Sequence, residues 1–432
     1  MLKSGGAVIR MKYLLGDEKI LRDMPIQLPK EPFAAEILEF CKSVSKELLK
    51  LQEGKNYPDI VTLGFWLRKS SLESLKKRFV SENGGLHWGR GVIFHVAPSN
   101  VPVNFAYSLF AGLICGNANV VRVPSKEFRQ VSIIIDVLKK VIDEYPQMAA
   151  YICLLRYGHE QEINDYLSSL CDVRVIWGGN STIAEIRKSP LPPRAAEVSF
   201  ADRFSLAVID TATYADLSEQ EKRRLARDFY NDTYLTDQNA CTSPKLVTWI
   251  CEADEKDSVV KIRKEFWSRL WDIVEQEYVF QDIQGVDKLT KKYLLAADTD
   301  IDIKGCFVVE GADNRLVCVE ITKPTDKLPD YFTHSGYFLE YITTDILDLL
   351  ELGKDNRCQT VGYLGDGEKI LSVIRKGIKG IDRVVPIGKT MDFDLIWDGY
   401  DLYERFTRKI TVWRQENKGE FVYEKRKDRG IG

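Results

Sequence analysis

The spacing of apolar residues along this chain alternates between strand-like runs and helical repeats, and the alternation is densest between residues 91 and 210. Gly91-Val92-Ile93-Phe94-His95-Val96-Ala97 is a continuous apolar run of strand length, broken by Pro98-Ser99-Asn100-Val101-Pro102. Phe105, Leu109, Phe110 and Leu113 then share one helical face, and Gly116-Asn117 supplies a left-handed stop. Residues 119–123 read as a strand again. Val131, Ile134, Ile135, Leu138, Val141 and Ile142 follow at the 3.6-residue period, in a helix that Ser125 is placed to cap. Residues 151–157, 173–177 and 205–209 complete a set of five strands, with helices over 161–170 and 182–188. Strands separated by helices in this way predict a parallel sheet covered on both faces. Such sheets bind ligands beyond the carboxyl ends of their strands.

The flanks fit around that core. Residues 7–15 and 24–28 are short strand-like pieces that need a distant partner, and 32–51 and 60–78 form a helical preface. Beyond 210, helices are expected over 217–231, 264–278 and 369–378, and strands over 245–250, 306–310 and 316–321. Residues 406–413 and 421–426 form a basic, aromatic tail that alternates like an edge strand, and the charged end beyond it is expected to fray. The division that follows is a helical preface plus cofactor-binding domain over 1–210, a catalytic domain over 211–390, and a returning tail and oligomerisation arm over 391–432.

Length agrees with more than one domain, since 432 residues exceed what a single hydrophobic core usually supports. Lys and Arg (61) nearly balance Asp and Glu (64), which leaves no electrostatic footprint for nucleic acid or an anionic membrane. No apolar run approaches a membrane span and the N-terminal stretch lacks a signal-peptide core, so a cytoplasmic protein is expected. Nine cysteines, an odd number with no C-x-x-C pair and no His at ligand spacing, argue against a disulfide framework and against a metal site. Most of them lie in apolar runs. Cys241 is different, because Thr236-Asp237-Gln238-Asn239-Ala240-Cys241-Thr242-Ser243-Pro244 surrounds it with small and amide-bearing residues ahead of an apolar strand. A thiol that substrate can approach and hydrogen-bond donors can flank suits covalent catalysis; a packing cysteine is the plainer alternative.

Three turns on the expected ligand edge carry chemistry. Asn100 follows a strand and could donate to an oxyanion, or merely form an Asn turn between prolines. Arg122, Ser125 and Lys126 sit between a strand and a helix and make either an anion site or a capped helix with solvated charges. Gly178-Gly179-Asn180-Ser181 repeats the strand, glycine, helix order, which allows a backbone to approach a pyrophosphate, although it is not G-x-G-x-x-G.

Together, Gly116-Asn117-Ala118-Asn119-Val120-Val121-Arg122-Val123-Pro124-Ser125-Lys126, the 98–102 turn and Gln238-Asn239-Ala240-Cys241-Thr242 resemble the aldehyde dehydrogenase superfamily. Residues 95–105 resemble most the long-chain acyl-CoA or acyl-protein reductases of the bacterial luminescence fatty-acid reductase complex, and the likeness extends over about 91–400, including 359–363 and 397–402. The resemblance implies an α/β aldehyde-dehydrogenase-like fold, with two doubly wound parallel-sheet domains and a small oligomerisation arm. It places Cys241 at the nucleophile position, Asn100 at the oxyanion amide, and Gly179 to Ser181 near the nicotinamide half of the cofactor. Where NAD-using members have Lys-Pro-Ser-Glu this chain has Val123-Pro124-Ser125-Lys126, which exchanges a carboxylate for a cation and points to NADPH. The segment matching the hydrolytic Glu-Leu-Gly-Gly-Lys is Glu197-Val198-Ser199-Phe200-Ala201, with Val198 or Ser199 nearest the base position and Glu197 free to be a salt-bridging residue. Glu340 is a weak counterpart of the ribose-binding Glu, better read as structural, and His334 is either a proton shuttle or a surface histidine.

The function expected is NADPH-dependent reduction of a fatty acyl thioester, carried by CoA or by a protein, to the aldehyde through an acyl-Cys241 intermediate. The resemblance also implies homo-oligomers and acyl-protein synthetase or transferase partner subunits. An aldehyde-oxidising dehydrogenase and a non-catalytic scaffold subunit are the alternatives.

Overall fold

The structure, a computed structural model, describes residues 3–4, 7–8, 11–82, 85–253, 256–298, 300–307, 309–416 and 420–423. It divides into two compact units, Met1–Ala201 with Phe393–Gly432, and Asp202–Asp392.

The first unit is built on strands β1 (Lys12–Leu15), β2 (Val92–Val96), β3 (Ala118–Arg122), β4 (Ile152–Arg156), β5 (Val173–Trp177) and β6 (Ala196–Phe200), in the order β1-β4-β3-β2-β5-β6. All pairs are parallel except β1 with β4, where Tyr13 faces Leu155. The distant partner of the N-terminal strand is therefore β4. Three preface helices, α1 (Ala35–Lys50), α2 (Pro58–Trp66) and α3 (Lys69–Glu82), lie between β1 and β2 in the chain. The helices connecting its strands are α4 (Asn104–Ile114), α5 (Arg129–Glu144), α6 (Gln161–Leu170) and α7 (Asn180–Ile186). Their apolar stripes bury Phe105, Leu109, Leu138 and Leu167 completely. Gly116 has φ of 86°, and a Cβ there would lie 2.1 Å from the Lys30 carbonyl oxygen, so the turn before β3 requires glycine. Asn117 then accepts from the Arg90 and Gly91 amides and donates to the Phe406 carbonyl, which fastens the returning tail to the sheet. In that tail, Thr407–Ile410 pairs antiparallel with Leu86–Gly89, and Trp413–Glu416 pairs with Glu420–Tyr423.

Four local expectations change. Residues 24–26 form a 3-10 turn rather than a strand, because Pro25 sits at its first positions. The 60–78 stretch is two helices, α2 and α3, separated at Leu67-Arg68. Ser125 does not cap α5, which begins four residues later with Phe128 at its N-cap. The strand at 204–210 belongs to the second unit's sheet, and Ala196–Phe200 takes the edge position beside β5 instead. A fully buried parallel strand reads the same in either sheet, whereas the half-exposed edge strand has too little apolar continuity to stand out. Part of the fraying end, 424–432, lies outside the described residues.

The second unit has strands β7 (Phe204–Asp210), β8 (Pro244–Ile250), β9 (Ile303–Phe307), β10 (Val317–Ile321), β11 (Tyr337–Thr343), β12 (Cys358–Leu364) and β13 (Arg383–Pro386). Their order is β9-β10-β11-β8-β7-β12-β13, parallel except for the β9 edge. Helices α8 (Glu219–Thr233), α9 (Lys256–Glu277), α10 (Asp282–Ala297) and α11 (Gly367–Ile374) belong to this unit. A capping box between Ser218 and Glu221 starts α8, the helix that leads into the cysteine turn. The sequence left α10 unpredicted. Its outer face leaves Ile283, Val286, Leu289, Tyr293 and Leu294 exposed, so the stripe that ordinarily marks a core-facing helix has no core behind it.

Candidate active site

In the first unit, the three chemistry-bearing turns end the adjacent strands β3, β2 and β5. The chain leaves β2 toward β3 on one side and returns to β5 on the other, so the crevice between β2 and β5 is a topological switch point. Asn100 stands exposed in the turn after β2. Ser125 and Lys126 are exposed after β3; the Lys126 ammonium lies 4.9 Å from the centre of the Phe128 ring and, among the described residues, forms no ion pair with a carboxylate. Arg122 is more committed, since it donates to the Gly158 carbonyl and lies 4.6 Å over the Tyr157 ring. Gly178 donates to the Phe200 carbonyl, Gly179 is the N-cap of α7, and Asn180 and Ser181 are exposed in its first turn. Exposed hydroxyl, amide and ammonium groups beside glycine backbone fit a dinucleotide laid across this edge.

The cysteine turn belongs to the second unit, at the amino end of β8. Asp237 and Gln238 both take left-handed backbone angles, φ of 52° and 58°. For residues with side chains this costs about 1–3 kcal/mol each, so neighbouring groups must hold the turn. Gln238 does most of that holding. Its buried amide donates to the carbonyls of Pro244 (2.8 Å) and Tyr337 (3.1 Å) and accepts from the amides of Gly336 (3.0 Å) and Tyr337 (3.2 Å). The Ser335 amide donates to the Asp237 carbonyl at 2.9 Å, and the Tyr278 hydroxyl donates to the Asp237 carboxylate. From the other side, the Ser205 hydroxyl donates to the carbonyl of Cys241 itself (2.7 Å) and accepts from the Thr360 amide (3.3 Å). Lys245 sends its ammonium back beneath the turn to the carbonyls of Gln238 and Thr333.

The residues after the cysteine are fixed as well. Thr242 Oγ1 donates to Met391 Sδ at 3.1 Å. The loop carrying that methionine is held by Asp232 on α8, whose two carboxylate oxygens accept from the Gly388 (2.6 Å) and Thr390 (3.2 Å) amides. Burial lifts the Asp232 carboxyl to about 7.

Of the nine cysteines, seven are buried, Cys306 is exposed on the β9 edge, and Cys241 alone is half-buried. Burial pushes the thiols of Cys153, Cys171 and Cys358 up to about 12, which leaves them as inert packing. Glu197 accepts from Arg174 at 2.8 Å through one oxygen and from Arg187 at 2.7 Å through the other, so its carboxylate is spent on two guanidinium groups. Val198 is wholly buried, and Ser199 accepts from Arg187. Glu340 is completely buried on β11 and accepts from Trp249 (2.8 Å), Trp267 (2.7 Å) and Arg263 (2.8 Å), a structural role. His334 is half-buried, and its pKa falls below the usual histidine value through burial and the nearby Lys245. His95 is fully buried between Ser108 (2.7 Å) and Asn119 (2.9 Å), and burial lowers its pKa to about 4, so it is a neutral core residue. No group of three or more His, Cys, Asp or Glu side chains among the described residues could hold a metal.

Sequence reasoning gave no role to Ser205, Asp232, Gln238 or Lys245. Only Gln238 had a signal, its place three residues before the thiol.

The sequence family described as Acyl-CoA reductase (LuxC) matches residues 69–275, which span both the first unit's ligand edge and the cysteine turn. No curated protein matches significantly. Among solved structures, the NAD-dependent benzaldehyde dehydrogenase from Corynebacterium glutamicum is similar with a TM-score of 0.57 at 15% identity, covering 95% of this chain and 88% of that one. Aldehyde dehydrogenase 21 from Physcomitrella patens, in complex with succinate, gives 0.61 at 11% identity over 94% and 89%. Succinic semialdehyde dehydrogenase from Streptococcus pyogenes, in complex with NADP+, gives 0.58 at 11% identity over 90% and 93%. The family match supports an oxidoreductase acting on acyl or aldehyde groups. The likeness first read from the motifs is thus borne out: the chain has the aldehyde dehydrogenase fold, and its residues 69–275 match the acyl-CoA reductase family.

Proposed function

We propose that this protein reduces fatty acyl thioesters to aldehydes with NADPH, through an acyl group carried on Cys241. The observation that carries this reading is the cysteine turn. A half-buried thiol follows a strained backbone held by the buried Gln238, Ser205 and Tyr278 side chains and by the half-buried Lys245. Such construction fits a nucleophile that must meet a carbonyl in one orientation.

In the first step the Cys241 thiolate adds to the thioester carbonyl and the donor thiolate leaves. The backbone N–H of Cys241 would donate to the oxyanion, and the resemblance gives Asn100 the role of oxyanion amide. Ser125 and Lys126 would hold the adenosine end of the cofactor and Gly178, Gly179, Asn180 and Ser181 its diphosphate and nicotinamide side, with Arg122 stiffening the edge behind them. A bound reduced nicotinamide would supply hydride chemistry at this edge: the acyl-Cys241 thioester would become a thiohemiacetal oxyanion, whose collapse gives the aldehyde and the Cys241 thiolate. With Glu197 bound to Arg174 and Arg187, that carboxylate is not available to activate water, which favours reduction over release of free acid. Lys126 would attract a 2′-phosphate, which is the basis for assigning NADPH. The reading extends to homo-oligomers and to synthetase or transferase subunits that deliver the acyl group.

Intact-protein mass spectrometry after incubation with acyl-CoA tests it. One acyl adduct is expected, absent in Cys241→Ala; an adduct on another cysteine, or none, overturns the assignment.

A further inference from the structure

Lys245 is an unusual residue to find at the amino end of a central parallel strand. It begins β8 next to Pro244, and the strand on either side of it is buried. Its ammonium does not turn outward. It donates to the carbonyl of Gln238, inside the cysteine turn, and to that of Thr333 at 2.8 Å, in the segment that leads into β11. Both acceptors are neutral carbonyls, and no carboxylate forms a salt bridge with it among the described residues, so this half-buried cation has no formal counter-ion. A strand interior ordinarily excludes such a charge unless an anion accompanies it.

We propose that Lys245 is a positioning residue for Cys241, and that the anion its ammonium accompanies is the Cys241 thiolate. The proposal rests on the reading of Cys241 as nucleophile. The two hydrogen bonds hold the ammonium beneath the turn, and a positive charge kept there favours the ionised sulfur over the thiol. Burial pulls the lysine down to about 7, and the charge of Cys241 acts against that burial. The other titratable groups facing this turn are His334, Asp237, Asp287 and Lys288; Tyr278 already donates to Asp237, and Lys288 donates to the Asn314 carbonyl.

The test is the rate at which iodoacetamide alkylates Cys241 in the full-length chain, followed by peptide mass spectrometry from pH 5.5 to 9.5. Lys245→Gln keeps a donor for the carbonyls and removes the charge; Lys245→Arg keeps the charge. Lys245→Gln is expected to alkylate roughly tenfold more slowly at pH 7, with the rising limb moved up by about one pH unit, and Lys245→Arg to track the wild type. Circular dichroism confirms folding. If Lys245→Gln misfolds, Lys245→Met replaces it. Coincident profiles for the neutral variant and the wild type, or an equal shift in Lys245→Arg, overturn the proposal. Loss of the acyl adduct in wild type would instead overturn the nucleophile reading and leave the alkylation result standing.

Discussion

Gln238 is the residue whose removal discriminates most sharply between a built turn and an incidental one. Gln238→Ala strips partners from two carbonyls and, more seriously, from the Gly336 and Tyr337 amides, each of which has a single hydrogen to place. Leaving a buried amide unpaired costs about 1–3 kcal/mol, and a carbonyl loses less because it has a second lone pair. The vacated volume admits water that recovers part of this, so the net loss is about 3–5 kcal/mol. Gln238→Glu is the sharper control. It keeps both amide bonds but sets an oxygen against the Pro244 and Tyr337 carbonyls, a loss of about 2 kcal/mol from a change of one atom. Urea unfolding followed by fluorescence of the buried Trp249 and Trp267 measures the loss, and hydrogen exchange across 333–340 should show deprotection at Gly336 and Tyr337. A Gln238→Ala protein with an unmoved midpoint and protected amides would refute the clamp.

Two other predictions follow from charge. Lys126→Glu should lower the kcat/KM ratio of NADPH to NADH by at least about tenfold, the effect of 1.4 kcal/mol at one exposed contact, and steady-state kinetics with both cofactors would expose an unchanged ratio. Glu340→Ala should cost about 3–5 kcal/mol in urea unfolding, because Arg263 and two indole N–H groups lose their buried acceptor, while the milder Glu340→Gln leaves the KM for cofactor unchanged; a raised KM there would restore a ligand role.

What the sequence determined by itself is whatever local spacing controls. The runs at 92–96, 118–122, 152–156 and 173–177 and the helices between them are legible because a doubly covered strand must be continuously apolar and its crossover helix amphipathic. The polar surroundings of Cys241 likewise set it apart from thiols in apolar runs. Which sheet a buried strand joins is not local, and for that reason the strand expected at 205–209 falls among the first unit's strands by sequence, whereas register with β8 and β12 places it in the second unit's sheet. The support of the thiol is hidden for the same cause. Ser205, Asp232 and Lys245 are ordinary letters along the chain and Gln238 shows only its place before the thiol; their meaning comes from backbone groups as far away as Tyr337, Thr360 and Gly388, which only tertiary folding brings within hydrogen-bonding distance. Side-chain spacing is a property of sequence, but the satisfaction of buried polar groups is a property of the folded chain.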